Sequence, residues 1–202
     1  MDICQNYVEL WGVAEAEPIL SHENHGQRFY KFPLWVDRLS GQADRPVVVA
    51  GEEQLARLRV AAGDSLRVIG QLRSYNNKSG QGSRLVITVL AQELARGDGA
   101  FFNRILLSGV ICKQPYLRRT PLGRSICDVI LAVNRHYGRA DYLPCIAWGQ
   151  VAAIVAGMAV GDRLALEGRV QSRRYTKVID GGSVERTAYE VSVMQLLDEE
   201  EP

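Results

Sequence analysis

The sequence predicts an all-β protein built as two tandem five-stranded barrels, each with a short helix between its third and fourth strands. Three observations carry this. The chain is a succession of short runs that alternate apolar and polar residues between clusters of Gly, Asn, Asp and Ser. It repeats itself: Val60-Ala-Ala-Gly-Asp-Ser-Leu-Arg-Val-Ile-Gly70 returns as Met158-Ala-Val-Gly-Asp-Arg-Leu-Ala-Leu-Glu-Gly168. Its 202 residues, 47% hydrophobic and 23% charged, suit one globular domain or two small ones.

The repeat extends beyond that block. Asn6, Trp11-Gly12-Val13 and Pro18 match Asn103, Ser108-Gly109-Val110 and Pro115. Gly41-Gln-Ala-Asp44 matches Gly138-Arg-Ala-Asp141. Two units of about a hundred residues are a duplicated domain, because solenoid periods are shorter. The expected domains are 1–97 and 98–202, joined near Ala95-Arg-Gly-Asp-Gly99.

In the first unit the strands expected are 7–16, 28–37, 45–50, 64–75 and 84–94, with a helix over 52–59. In the second they are 104–113, 124–135, 142–148, 163–175 and 187–196, with a helix over 150–158. The helix places Val151, Ile154, Val155 and Met158 on one apolar stripe. Turns at 76–82 and 180–182 separate the last two strands of each unit. Five strands with a helix after the third is the order of an OB-fold barrel.

The most telling stretch is 142–175. In its first strand Tyr142, Pro144, Ile146 and Trp148 share a face, opposite Leu143, Cys145 and Ala147. Pro144 cannot donate to a ladder, so this strand is expected to be an edge or bulged there. In the next strand Leu164, Leu166, Gly168 and Val170 face inward. Arg163, Ala165, Glu167, Arg169, Gln171, Arg173 and Tyr175 face outward. A face that sets Tyr and Trp beside Arg marks an interaction site. Its natural partner is a single nucleic-acid strand, whose bases stack on rings and whose phosphates pair with guanidiniums.

Over these segments the second unit resembles a bacterial single-stranded DNA-binding protein. The matching pieces are Asn103-Arg-Ile-Leu-Leu-Ser-Gly109, Pro115-Tyr-Leu-Arg-Arg-Thr-Pro-Leu-Gly123, Leu131-Ala-Val-Asn-Arg135, Tyr142-Leu-Pro-Cys-Ile-Ala-Trp-Gly149, Gly161-Asp162 and Leu166-Glu-Gly-Arg-Val-Gln-Ser-Arg-Arg-Tyr175. The resemblance implies base stacking on Tyr137, Tyr142, Trp148 and Tyr175. Arg118, Arg119, Arg135, Arg169, Arg173 and Lys177 complete the expected nucleic-acid-binding set. The equivalent ring positions in the first unit are Ser40, Arg45, Gly51 and Asn77. That unit still places Tyr75, Arg73, Gln71 and Arg67 on an outward strand face. The family's long Gly/Pro/Gln-rich linker with a Phe-tipped acidic end is replaced by Asp198-Glu-Glu-Glu-Pro202.

Charge agrees in its distribution, since the total is only +1. Residues 1–102 hold 11 Lys or Arg against 12 Asp or Glu, a net of −1. Residues 103–197 hold 13 against 7, a net of +6. No cofactor, metal or catalytic site is expected. Cys4, Cys112, Cys127 and Cys145 form no paired motif, and His22, His25 and His136 lie at no metal spacing. Gly80-Gln-Gly82 lacks the Lys-Ser/Thr of a phosphate cradle. No secretory signal or membrane span is legible, and a cytoplasmic location is expected.

The expected function is sequence-nonspecific binding of single-stranded DNA in replication, recombination or repair. The alternative is an assembly or adaptor protein of a primosome, recombination or mobile-element system with secondary nucleic-acid binding. RNA is a third option, because stacking reads bases and not sugars. Replication or repair proteins stay open as partners, without the Phe-tipped tail. A homodimer presenting four OB-folds is expected. The first strand of each unit is apolar on both faces: Tyr7, Val8, Leu10, Trp11 and Val13, and Ile105, Leu106, Leu107, Val110 and Ile111.

Overall fold

The computed structural model describes residues 6–77, 84–135, 138–179 and 182–198. Cys4, His136, Tyr137, most of both turns before the last strands, and residues 199–202 of the acidic end lie outside the described residues. So do the side chains of Arg174, Lys177 and Arg186.

The first repeat forms β1 (Asn6–Ala14), β2 (Ile19–Asn24), β3 (Gln27–Asp37), β4 (Ala43–Asp44), β5 (Val47–Gly51), α1 (Glu52–Leu58), β6 (Ser65–Asn76) and β7 (Leu85–Arg96). The second forms β8 (Phe102–Ile111), β9 (Tyr116–Arg119), β10 (Ser125–Asn134), β11 (Ala140–Trp148), α2 (Gly149–Ala156), β12 (Arg163–Ile179) and β13 (Gly182–Leu196).

Each repeat closes on itself in the same way. β1 pairs antiparallel with β3 and with β6. β3 pairs with β5, β5 runs parallel to β7, and β7 lies beside β6. In the second repeat β8 pairs with β10 and β12, β10 with β11, and β12 with β13. A short parallel contact between β11 and β13 completes the ring. Both repeats are therefore OB-fold barrels. The alternation seen in the sequence is the barrel wall: Val8, Leu10 and Ala14 of β1 are buried, as are Ile105, Leu107 and Ile111 of β8.

The repeated motifs hold the barrels in shape. Gly63 and Gly161 have φ of +89° and +100°, turns that side chains resist. The following Asp64 and Asp162 each accept the backbone N–H three residues back, of Ala61 and Ala159, at 2.7 and 2.8 Å. A Cβ on Gly109 would stand 2.8 Å from the carbonyl oxygen of Ala132, so β8 and β10 cross too closely for a side chain.

The chain packs as two compact units. One holds Tyr7–Arg73 with Ile87–Arg104. The other holds Ile105–Pro202 with Ser74–Val86 and the N-terminal residues to Asn6.

Several details differ from the sequence reading. Each repeat has an extra strand, β2 or β9, hairpinned onto its second barrel strand. The hairpin β12–β13 runs on to Ile179 and Gly182, past Tyr175. The expected linker begins inside β7, which includes Ala95 and Arg96. In α2 the buried residues are Ala152 and Val155, whereas Ile154 is 58% exposed. The helix is turned by about one residue from the expected stripe, because small Ala152 lets its backbone approach β10 and β11. Pro144 pairs with Ile130 on one side, and the parallel contact with β13 begins only at Cys145. On that side β11 is an edge at Pro144.

The outer side of β1 has a local cover. Trp11 donates its indole N–H to Ser65 Oγ at 3.3 Å. A Cβ on Gly97 or Gly99 would stand 2.8 or 2.2 Å from its ring. The glycines after β7 lie flat on this tryptophan.

Candidate nucleic-acid interface

The outer face of β9, β10 and β11 is laid out by register. Arg118, Ile126 and Trp148 form one row, and Tyr116, Asp128 and Ile146 the next. Ile130 with Pro144, then Ala132 with Tyr142, continue the face. Tyr142 is 53% exposed, Trp148 38% and Tyr116 65%. Their alternate neighbours Leu143, Cys145 and Ala147 are buried in the barrel. Tyr142 and Trp148 bracket about 20 Å of strand at the usual rise. A cleft of about 320 Å³ lies between them, lined by Lys113, Gln114, Tyr116, Pro144 and Glu190 among others.

β12 supplies the remaining groups. Arg169, Gln171, Arg173 and Tyr175 alternate with inward residues and lie opposite Ser192, Glu190, Ala188 and Arg186 of β13. The Arg173 guanidinium sits 5.9 Å from the Tyr175 ring centroid, so ring and charge are presented together. Gln171 donates to Glu190 Oε1 at 2.7 Å, and Arg173 Nε lies 4.0 Å from the same oxygen. The carboxylate in the cleft is thus partly offset. Cys145 is buried beside it, and burial pushes its thiol well above the usual range.

Two expected arginines have other employment. Arg118 binds Asp128 through two nitrogens, at 2.5 and 3.1 Å, and this carboxylate keeps its guanidinium firmly charged. Arg135 binds Asp141 through both Nε and Nη2, and Asp141 is fully buried. The first repeat has the same pair at the same place: Arg38 grips buried Asp44 through Nε and Nη2. The backbone agrees, since Arg38 and Arg135 each donate N–H to the carbonyl four residues on, at 2.7 Å. A pair present in both repeats, including the one without the rings, belongs to the fold. Arg119 is exposed at the end of β9. Lys177 lies in β12 opposite Val184.

Tyr116 was missed in the sequence. Its signal was the alternation Tyr116-x-Arg118 in a hairpin, which becomes a face only once β9 is known to pair with β10. In the first repeat the matching face is filled from within. Arg45, at the place of Tyr142, stacks on Trp35 at 4.5 Å and pairs with Glu15 at 3.0 Å. Trp35 in turn donates to Asp37 at 2.8 Å.

Residues 102–197 match the model of the single-strand binding protein family. The match covers the second repeat, which is similar to this family over its whole length. Over 80 residues it is 38% identical to single-stranded DNA-binding protein 3 of Listeria innocua, covering 36% of this chain and 50% of that one. With single-stranded DNA-binding protein A of Bacillus subtilis the identity is 36% over 80 residues, covering 36% of this chain and 46% of that one. The chain spans about half the length of the curated relatives it matches. In fold the likeness covers both repeats. The single-stranded DNA binding protein from Thermus aquaticus superposes with a TM-score of 0.77 at 22% identity, over 98% of this chain and 94% of that one. At that identity the likeness is one of architecture. Among the described residues no helix is long and apolar enough to cross a membrane, and no cluster of His, Cys, Asp or Glu could hold a metal.

Proposed function

We propose that this chain binds single-stranded DNA without strong sequence preference, acting as a binding protein in DNA metabolism and not as an enzyme. The observation that carries this is the set of rings on the outer face of a family barrel: Tyr142, Trp148 and Tyr175, with Tyr137 beyond the described residues. Flat rings on an open face stack unpaired bases of any identity, at about 1–3 kcal/mol each. Duplex DNA keeps its base faces covered. Phosphates would meet Arg119, Arg169, Arg173 and Lys177. Arg118 reaches them only by sharing Asp128, and Arg135 stays with Asp141. We place the protein in the cytoplasm, with the second repeat carrying most of the binding.

The test is quenching of tryptophan fluorescence in the full chain on addition of an oligothymidine, compared with a duplex of equal length. Preference for the single strand, weakened in Trp148→Ala and Tyr142→Ala, is the expected result. Equal affinity for both would overturn the reading.

A homodimer with four OB-folds fits the half-buried apolar residues left on the outer side of the first strands, such as Leu106 and Val110. The glycine cover on Trp11 weakens the same argument for the first repeat. Light scattering decides, since a dimer has about twice the 22.4 kDa of one chain. One observation favours a second reading: the first repeat's face is closed by Arg45 on Trp35. A barrel so sealed suits an adaptor or assembly role better than stacking.

A further inference from the structure

We propose that Tyr75, a residue of the first repeat, is a further base-stacking residue of the single-strand face. This rests on the reading above. The segment Ser74–Val86 belongs to the compact unit of the second repeat. Ser74 is fastened there by three hydrogen bonds. Its N–H donates to Asp141 Oδ1 at 2.5 Å, and its carbonyl accepts from Arg135 Nη2 at 3.0 Å. Its Oγ accepts the backbone N–H of Tyr142 at 2.8 Å. Ser74 is nearly buried, and the next residue, Tyr75, is 52% exposed.

These bonds place Tyr75 beside an expected stacking residue. The Tyr142 N–H that Ser74 receives sits on β11, on the edge that β13 leaves open until Cys145. One peptide unit adds 3.8 Å between Cα atoms, so the Tyr75 Cα lies within about 10 Å of the Tyr142 nitrogen. Tyr75 and Tyr142 are exposed to nearly the same degree, 52% and 53%.

The position is also mechanically firm. Beyond it, the Asn77 N–H donates to the Arg84 carbonyl at 2.7 Å and closes the base of the β6–β7 hairpin. Arg84 is exposed. Ring and guanidinium therefore stand on the two sides of one hairpin. By the repeat, Tyr75 stands one pleat before Asn77, the equivalent of Tyr175, so it keeps the outward parity of that ring.

The Arg135–Asp141 pair has a role here beyond holding its own loop. In the first repeat Arg38 and Asp44 make the same grip. In the second the same two groups also hold Ser74, and through it position Tyr75.

The experiment uses the full chain and a fluorescein-labelled oligothymidine longer than about 16 nucleotides, the upper site size of one OB fold. Affinities of wild type, Tyr75→Ala, Tyr75→Phe, Tyr75→Leu and Trp148→Ala are read by anisotropy, with a thermal melt of each. Tyr75→Ala is expected to bind at least about fivefold more weakly, the low end of the loss for one stacked base. Tyr75→Phe stays near wild type and Tyr75→Leu follows Tyr75→Ala. Unchanged binding in Tyr75→Ala, while Trp148→Ala weakens it, overturns the assignment and leaves the function standing. Equal affinities of the Phe and Leu variants overturn it also, even if Tyr75→Ala melts early. A wild-type chain that does not bind overturns both.

Discussion

Asp44 and Asp141 show what a single residue settles. Each is fully buried, and each is bound by two nitrogens of an arginine six residues earlier. Removing one partner of such a pair leaves a charge without compensation, at about 3–5 kcal/mol. Asp141→Ala is expected to lower the urea-unfolding free energy by about that much. Asp128→Ala breaks a pair that is 41% exposed on both sides, and should cost about 0–1 kcal/mol. The second change also frees Arg118 and removes an anion from the proposed DNA face, so oligonucleotide affinity should rise while stability barely moves. A fall in affinity would mean that Arg118 works only in its present orientation. The duplicated Gly-x-Ala-Asp motif was visible in the sequence as a repeat. Its task was not, because the loop between the arginine and the aspartate six residues on had to close before the Arg–Asp geometry existed. Arg118 and Arg135 read as phosphate-binding residues, because their ion pairs with Asp128 and Asp141 were hidden for the same reason.

At the scale of elements, strand crossings and ion pairs set the limits. Gly109 passes within reach of the Ala132 carbonyl, a backbone atom that cannot step aside. Gly109→Ala is expected to destabilise by about 1–3 kcal/mol, measured by denaturant unfolding. In the first repeat β1 and β6 are stapled by Glu9, which accepts two hydrogen bonds from Arg67 at 2.8 and 2.6 Å. That guanidinium, more than any other group, holds the Glu9 carboxyl below its ordinary value. A carboxyl lowered on folding is protonated more readily in the unfolded chain. Its contribution is therefore complete above the ordinary Glu value and is lost as pH falls through the lowered one. Comparing wild type with Glu9→Gln, the stability gap should be about 0–1 kcal/mol at neutral pH and should close on acidification below about pH 4. Strand order and barrel closure were legible here because period-2 alternation and the helix position survive in both repeats. The extra strands β2 and β9 were not. They are short, their residues are almost all exposed, and no apolar face betrays them.

For the whole molecule the sequence carried most of the proposed function and little of its boundaries. The rings and the basic second half were readable because stacking demands aromatic residues at outward parity. The break at residue 97 followed the repeat, whereas the compact units exchange Ser74–Val86. The hydrogen bonds that Ser74 donates to Asp141 and accepts from Tyr142 leave no periodic trace in a sequence. If Arg119, Arg169, Arg173 and Lys177 each meet one phosphate, log affinity should fall with log salt at a slope of about −3. A slope near zero would leave stacking alone to hold the strand. A much steeper slope would bring in cations from the first repeat.

β9 has a consequence of another kind. Among the described residues it is the last strand in the pairing order, hydrogen-bonded to β10 on one side only. An open row of backbone donors and acceptors invites a strand from a neighbouring molecule, and positive side chains there repel it. Arg118 and Arg119 stand in that short strand, beside exposed Tyr116 and Leu117. If the chain coats a nucleic acid as proposed, it must tolerate crowding without clumping, and Arg119, with the charge that Arg118 shares with Asp128, is expected to act as the repellent. Replacing both with Ser should bring earlier turbidity on warming at low salt, even with no DNA present.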